Sequence, residues 1–125
     1  MSRFFIISGA LNCLLAVALA AFGKHNVRDN FDEHAFEIFQ TAGDYQIHNG
    51  LGLILIGIIC YQLSQSSFIK LAGWLMLAGV VLFSGSLYIL AITDFSPIRW
   101  LTPIGGTTLI TAWLCLIWAG IKMDK

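Results

Sequence analysis

The most polar stretch beside an apolar run reads Asp44-Tyr45-Gln46-Ile47-His48-Asn49-Gly50. Asp44 and His48 stand one helical turn apart, so a carboxylate–imidazole pair is expected there. His25 and His34 add two more imidazoles nearby in the chain. Imidazoles with carboxylates suit zinc, copper, iron or nickel. The spacing argues against a metal site, however. No H-E-x-x-H occurs, and Glu33-His34-x-x-Glu37 reverses the order of the di-iron motif and occurs once. The expectation is therefore no metal and no cofactor. His25, Asp44, Tyr45, Gln46, His48 and Asn49 form a candidate patch whose simplest role is a structural ion pair at a loop–bundle junction. Proton or ligand handling is the alternative.

A second set of polar residues interrupts the apolar runs themselves. Ser8 and Asn12 are four apart, as are Ser84 and Tyr88, and Thr107 and Thr111. In hydrocarbon such side chains face protein and either bond across helices or line a polar pathway. Packing is the expected role. Gly85, flanked by Ser84 and Ser86, suits a close helix crossing, and Gly105-Gly106 suits a crossing or a slightly unwound helix start. Ser8-Gly9-x-Leu11-x-x-Leu14 also resembles Ser84-Gly85-x-Leu87-x-x-Leu90, a similarity that Leu-rich segments readily produce. Cys13, Cys60 and Cys115 show no C-x-x-C spacing and read as buried free thiols. No nucleophile elbow, phosphate loop or deaminase signature is present. Trp74, Trp100, Trp113 and Trp118 read as interfacial anchors.

The elements that must hold these residues follow from composition. Of 125 residues 58% are hydrophobic and only 11% charged, against about 25% charge in a soluble domain. Seven basic and seven acidic side chains cancel, which excludes a basic nucleic-acid binder. Uncharged runs extend over 4–23, 45–69, 71–93 and 100–121. About 20 helical residues cross a bilayer core. Arg3 and Ala18-Leu19-Ala20 imitate a signal peptide, but the first run is long for one, and a retained span is expected. A β-barrel is excluded because Leu51 to Cys60 shows no alternation.

The expected fold is all-α and integral to the membrane. Four transmembrane helices, about 4–23, 45–64, 70–93 and 101–121, form an antiparallel bundle in a single domain over 1–125. Between the first two spans, Phe31, Ala35, Ile38, Ala42 and Tyr45 recur at helical spacing. They predict a separate amphipathic helix over about 30–43, capped by Asn30 with Glu33 three residues on, and a bend at Ala42-Gly43. Gln65-Ser66-Ser67 and Asp94 to Arg99 are short links, and Thr102-Pro103 reads as a helix N-cap followed by proline. Arg3, Lys70, Lys122 and Lys125 share one side and Lys24, Arg28 and Arg99 the other, a split that favours cytoplasmic termini.

Four motifs in order carry a family resemblance: Phe22-Gly23-Lys24-His25, Thr41-Ala42-x-x-Tyr45-Gln46-x-His48, Leu82-Phe83-Ser84-Gly85-Ser86-Leu87-Tyr88 and Thr102-Pro103-Ile104-Gly105-Gly106. Over nearly the whole chain the sequence resembles the YgdD/YwdK-like small inner-membrane proteins of bacteria, a domain of unknown function. It also looks related to small TMEM-type membrane proteins of animal mitochondria. Lys24 stands where a small residue is expected, and Asn49-Gly50 is more polar than the pattern. The resemblance implies a four-helix protein of the bacterial inner membrane and transfers no catalytic residue.

The functional expectation is a non-enzymatic assembly or membrane-stabilising protein. Its partners would be the lipid bilayer and either further copies of itself or another envelope membrane protein, with no nucleic acid. A carrier or channel for a small solute, proton or ion is the alternative. A histidine-based metal-binding or enzymatic membrane protein is the third reading.

Overall fold

The computed structural model describes residues 2–62 and 67–123. Among these the chain is helical, with no strand. Helix α1 (Ser2–Asn30) is regular from Ser2 to Phe22, widens into a π turn over Gly23–Val27 and ends in one further turn. Extended backbone at Phe31 stops it. Helix α2 (Glu33–Gln62) follows, then α3 (Ser67–Thr93). A 3-10 turn over Ser96–Trp100 leads into α4 (Leu101–Ile121). Long apolar runs make helices because each backbone group then finds its partner within the segment, and Pro103 falls in the first turn of α4, where its missing N–H breaks no helical bond.

Three helices are long and apolar enough to cross a membrane: Ser2–Asn30, Ser67–Thr93 and Ser96–Ile121. Helix α2 is as long, at 30 residues, but the polar stretch from Asp44 to Asn49 lowers its hydropathy, so it is not one of the three. Residues 63–66, which hold most of the expected Gln65-Ser66-Ser67 link and the end of the second expected span, lie outside the described residues.

The expected amphipathic helix over 30–43 is not a separate element. It is the first part of α2, which continues through Ala42-Gly43 unbroken. A glycine inside a helix costs only about 1 kcal/mol, and packing on both sides overrides it. Ala42 is fully buried, and its carbonyl accepts a 2.8 Å hydrogen bond from the Ser84 hydroxyl of α3. Phe39 packs with Val27 of α1 and Ala91 of α3. Nor does Asn30 cap α2. The Asp32 carboxylate accepts the Ala35 N–H at 2.7 Å, while the Asn30 amide donates back to the Asn26 carbonyl within α1. Thr102 is not an N-cap either, because α4 continues directly from the 3-10 turn and already includes Leu101.

Extensive contacts join α1 to α2, α2 to α3 and α3 to α4. The helices thus stand in a row whose two middle members carry most of the core. Phe5, Leu53, Ile56, Met76, Val80 and Leu109 share one buried cluster. Successive helices run in opposite senses: Gly9 meets Gly50 while Gly57 meets Ser2, and Gly79 meets Leu109 while Gly105 meets Phe83. Asp94 ends α3 in the left-handed region at φ 53°, with its N–H on the Leu90 carbonyl at 2.9 Å.

Candidate functional site

A polar chain crosses three helices. Tyr88 of α3 donates its hydroxyl to the Gln46 side-chain carbonyl at 2.7 Å. The Gln46 amide donates in turn to the Asn12 side-chain carbonyl of α1 at 3.2 Å. The Asn12 amide completes its bonding on the Ser8 carbonyl at 2.9 Å. One turn further along α2, the Asn49 carbonyl oxygen accepts the Trp113 indole N–H of α4 at 3.0 Å, and its amide donates to the Tyr45 carbonyl at 2.8 Å. Ser86 meets Thr102 at 2.6 Å and ties α3 to α4. Among the described residues no buried side-chain nitrogen or oxygen lacks a partner. An amide is suited to the middle position because it both donates and accepts, so Gln46 can relay between a hydroxyl and a second amide.

Above this chain, toward the end of α1, lies a cleft of about 640 Å³ between α1 and the first half of α2. Its apolar wall includes Ala16, Ala20, Phe36 and Phe39. Lys24, Arg28, Asp44 and the Tyr88 side chain also line it. The Tyr88 ring stands edge-on to Phe39, centroids 5.0 Å apart. The π turn forms part of the wall: Gly23 lies so close that a Cβ there would come within 2.5 Å of the Phe39 ring. Such π turns are frequent at functional sites.

The profile of the family described as "Protein of unknown function (DUF423)" matches residues 19–106. The chain is 41% identical over 120 residues to the UPF0382 membrane protein YwdK of Bacillus subtilis, covering 96% of this chain and 98% of that one. It is 42% identical over 120 residues to a UPF0382 membrane protein of Staphylococcus aureus, covering 96% of this chain and 97% of its relative. The chain belongs to the DUF423 family. Its relatives are named membrane proteins, and this chain is a small helical membrane protein of the YwdK-like kind. No solved structure matches it.

The DUF423 chain does not use the Asp44–Asn49 stretch as one patch. Helical periodicity divides it: Gln46 and Asn49 are buried and bonded to other helices, while Asp44, Tyr45 and His48 are exposed. Asp44 and His48 form no ion pair; Asp44 turns to the cleft, and His48 does not line it. His25, in the π turn, and His34 are exposed as well. Among the described residues no three His, Cys, Asp or Glu side chains come together to hold a metal.

The intramembrane set also divides. Asn12, Ser84, Ser86 and Tyr88 bond across helices, whereas the half-buried Ser8 donates its hydroxyl to the Phe5 carbonyl of its own helix at 3.3 Å. Thr107 and Thr111 are exposed on α4, and their hydroxyls bond the carbonyls one turn back, of Pro103 and Thr107. They do not converge with the other polar faces. Gly85 is not the close crossing, since a Cβ there would meet nothing within 4 Å. Gly105 is, with the Phe83 backbone nitrogen 2.5 Å from its notional Cβ; at Gly106 the nearest atom is at 3.6 Å. The Ser8-Gly9 and Ser84-Gly85 likeness therefore has no common packing role, because Gly9 is tight against Gly50 and Gly85 is free. Sequence reasoning missed the Trp113 bond: read as an interfacial anchor, this partly exposed side chain donates its indole N–H to the buried Asn49. The four-residue spacing of Lys24 and Arg28 was the available signal for the cleft.

Proposed function

We propose that this DUF423 chain is a four-span protein of the bacterial inner membrane, with both termini cytoplasmic, that acts by association and not by catalysis. Helix α2 is the remaining span, held in the membrane because Gln46 and Asn49 are shielded by and bonded to α1, α3 and α4. The observation that carries the reading is the internal closure of the polar chain. Asn12, Gln46, Tyr88, Asn49 and Trp113 bond to one another across helices, as helix-packing polar groups do. Among the described residues every buried side-chain nitrogen and oxygen has a partner, and the free charges that do converge, Lys24, Arg28 and Asp44, stay in a cleft beside the end of α1, which leaves no free polar path through the protomer. The outward surface is apolar, with Leu14, Val17, Ile110 and Ile117 each about 60% exposed, and offers faces for lipid and for other membrane helices.

The test is native mass spectrometry of the protein released from its own membrane in mild detergent. A defined homo-oligomer or a complex with another membrane protein is the expected result. A bare monomer in every mild detergent, together with unchanged mobility after in-membrane cross-linking, refutes association.

A further inference from the structure

We propose that the cleft between α1 and α2 binds one phospholipid of net negative charge, drawn from the bilayer in which α1 lies. The order of chemistry along α1 motivates this. Ala16 and Ala20 line the cleft within the uncharged run over 4–23, and Lys24 and Arg28 line it immediately beyond that run. At 1.5 Å per residue the cations stand roughly 6–18 Å above the alanines along the helix. An amphiphile presents the same sequence of groups: an apolar chain, then a charged head at the interface.

The chemistry of the cleft selects the head. Lys24 and Arg28 face a single carboxylate, Asp44, so the cleft carries a net charge of about +1 and favours an anion. Arginine holds phosphate through a fixed fork of donors, with lysine as a point charge beside it. Neither cation forms an ion pair within the described chain, so both are available. The opposite wall, Phe36 and Phe39, suits an acyl chain. The volume of about 640 Å³ falls within the ~300–1,000 Å³ of sites that hold one small organic group. Below the cleft α1 and α2 close on each other, with a notional Gly9 Cβ only 2.6 Å from the Gly50 carbonyl. The cleft is therefore blind, which suits retention of a ligand and not passage. The proposal rests on α1 spanning the membrane, and not on the associative role.

The experiment reconstitutes the full chain in phosphatidylcholine bilayers containing equal, tail-matched phosphatidylglycerol and phosphatidylethanolamine, and reads retained lipids by native mass spectrometry. One phosphatidylglycerol per chain is expected in preference to the other two lipids. Each surface cation contributes about fivefold to anionic-lipid affinity, so K24Q/R28Q should lower that retention about 25-fold with helix content unchanged. D44N should raise it. A20W, which fills the cleft, should abolish specific retention with both cations still present. Equal retention of all three lipids, or undiminished phosphatidylglycerol on K24Q/R28Q, overturns the site. Extraction of the protein from membranes by alkaline carbonate would instead overturn the spanning reading on which the site rests.

Discussion

Two glycine-to-alanine substitutions on the α3–α4 pair should move stability in opposite directions. A methyl group on Gly105 would lie 2.5 Å from the Phe83 nitrogen, 2.8 Å from its Cα and 3.0 Å from the Leu82 carbonyl carbon. These are backbone atoms of a packed helix and cannot rotate away. Restoring an ordinary 3.4 Å contact requires α3 and α4 to separate by about 0.9 Å at that point. A gap of ~0.5–1 Å forfeits a quarter to a half of each dispersion contact it opens, and overpacking costs ~1–3 kcal/mol. With backbone as the obstacle we take the upper figure. Alanine returns ~1 kcal/mol through helix propensity, so G105A should lose about 2 kcal/mol. At Gly85 nothing lies within 4 Å of the added methyl, so only the propensity gain remains and G85A should stabilise by ~0.5–1 kcal/mol. Unfolding equilibria measured by steric trapping in bicelles resolve both. A G105A protein as stable as the parent, or a G85A protein destabilised by more than ~1 kcal/mol, would refute the packing argument.

The polar chain should show coupling between Gln46 and Tyr88: a double-mutant cycle on Q46L and Y88F, read by the same trapping assay, should give ~0.6–1.7 kcal/mol, and a value near zero would mean the bond contributes nothing in the membrane. Replacing Trp113 by Phe removes the indole N–H and leaves the buried Asn49 oxygen unpaired, at a cost of ~1–3 kcal/mol; N49L in the same background should recover part of that loss in thermal unfolding. Asp94 holds a left-handed conformation that disfavours residues with a Cβ, so D94G should gain ~1 kcal/mol, measurable as a raised melting temperature. Thr107 and Thr111 bond only their own helix, so T107L/T111L should leave monomer stability within ~0.5 kcal/mol, and any large change in circular-dichroism melting would contradict their placement on the outer face.

Composition and apolar run length alone determined that this is a helical membrane protein. The fourth run, expected at about 101–121, coincides with α4 (Leu101–Ile121), because in lipid the backbone has few alternatives to the helix. The division of residues between faces was also within reach of helical periodicity, yet Asp44–Asn49 reads in one dimension as a single polar patch. Only packing separated Gln46 and Asn49 from Asp44, Tyr45 and His48, by placing three other helices around one side of α2. Local signals misled where tertiary contacts outweighed them. Ala42-Gly43 suggested a break between two helices, but with Ala42 buried and bonded to Ser84 the helix α2 continues through that point. Glycine gave no indication of its own role: Gly85 and Gly105 have equally small side chains, and the difference between open space and a backbone at 2.5 Å exists only once a neighbouring helix is in place. The cleft is likewise a tertiary object, since Lys24 and Arg28 acquire an apolar floor only when α2 folds back along α1. Chain chemistry sets which segments enter the membrane, because transfer is additive over residues. Which side chains meet depends on the relative rotation of whole helices, and that is a property of their packing.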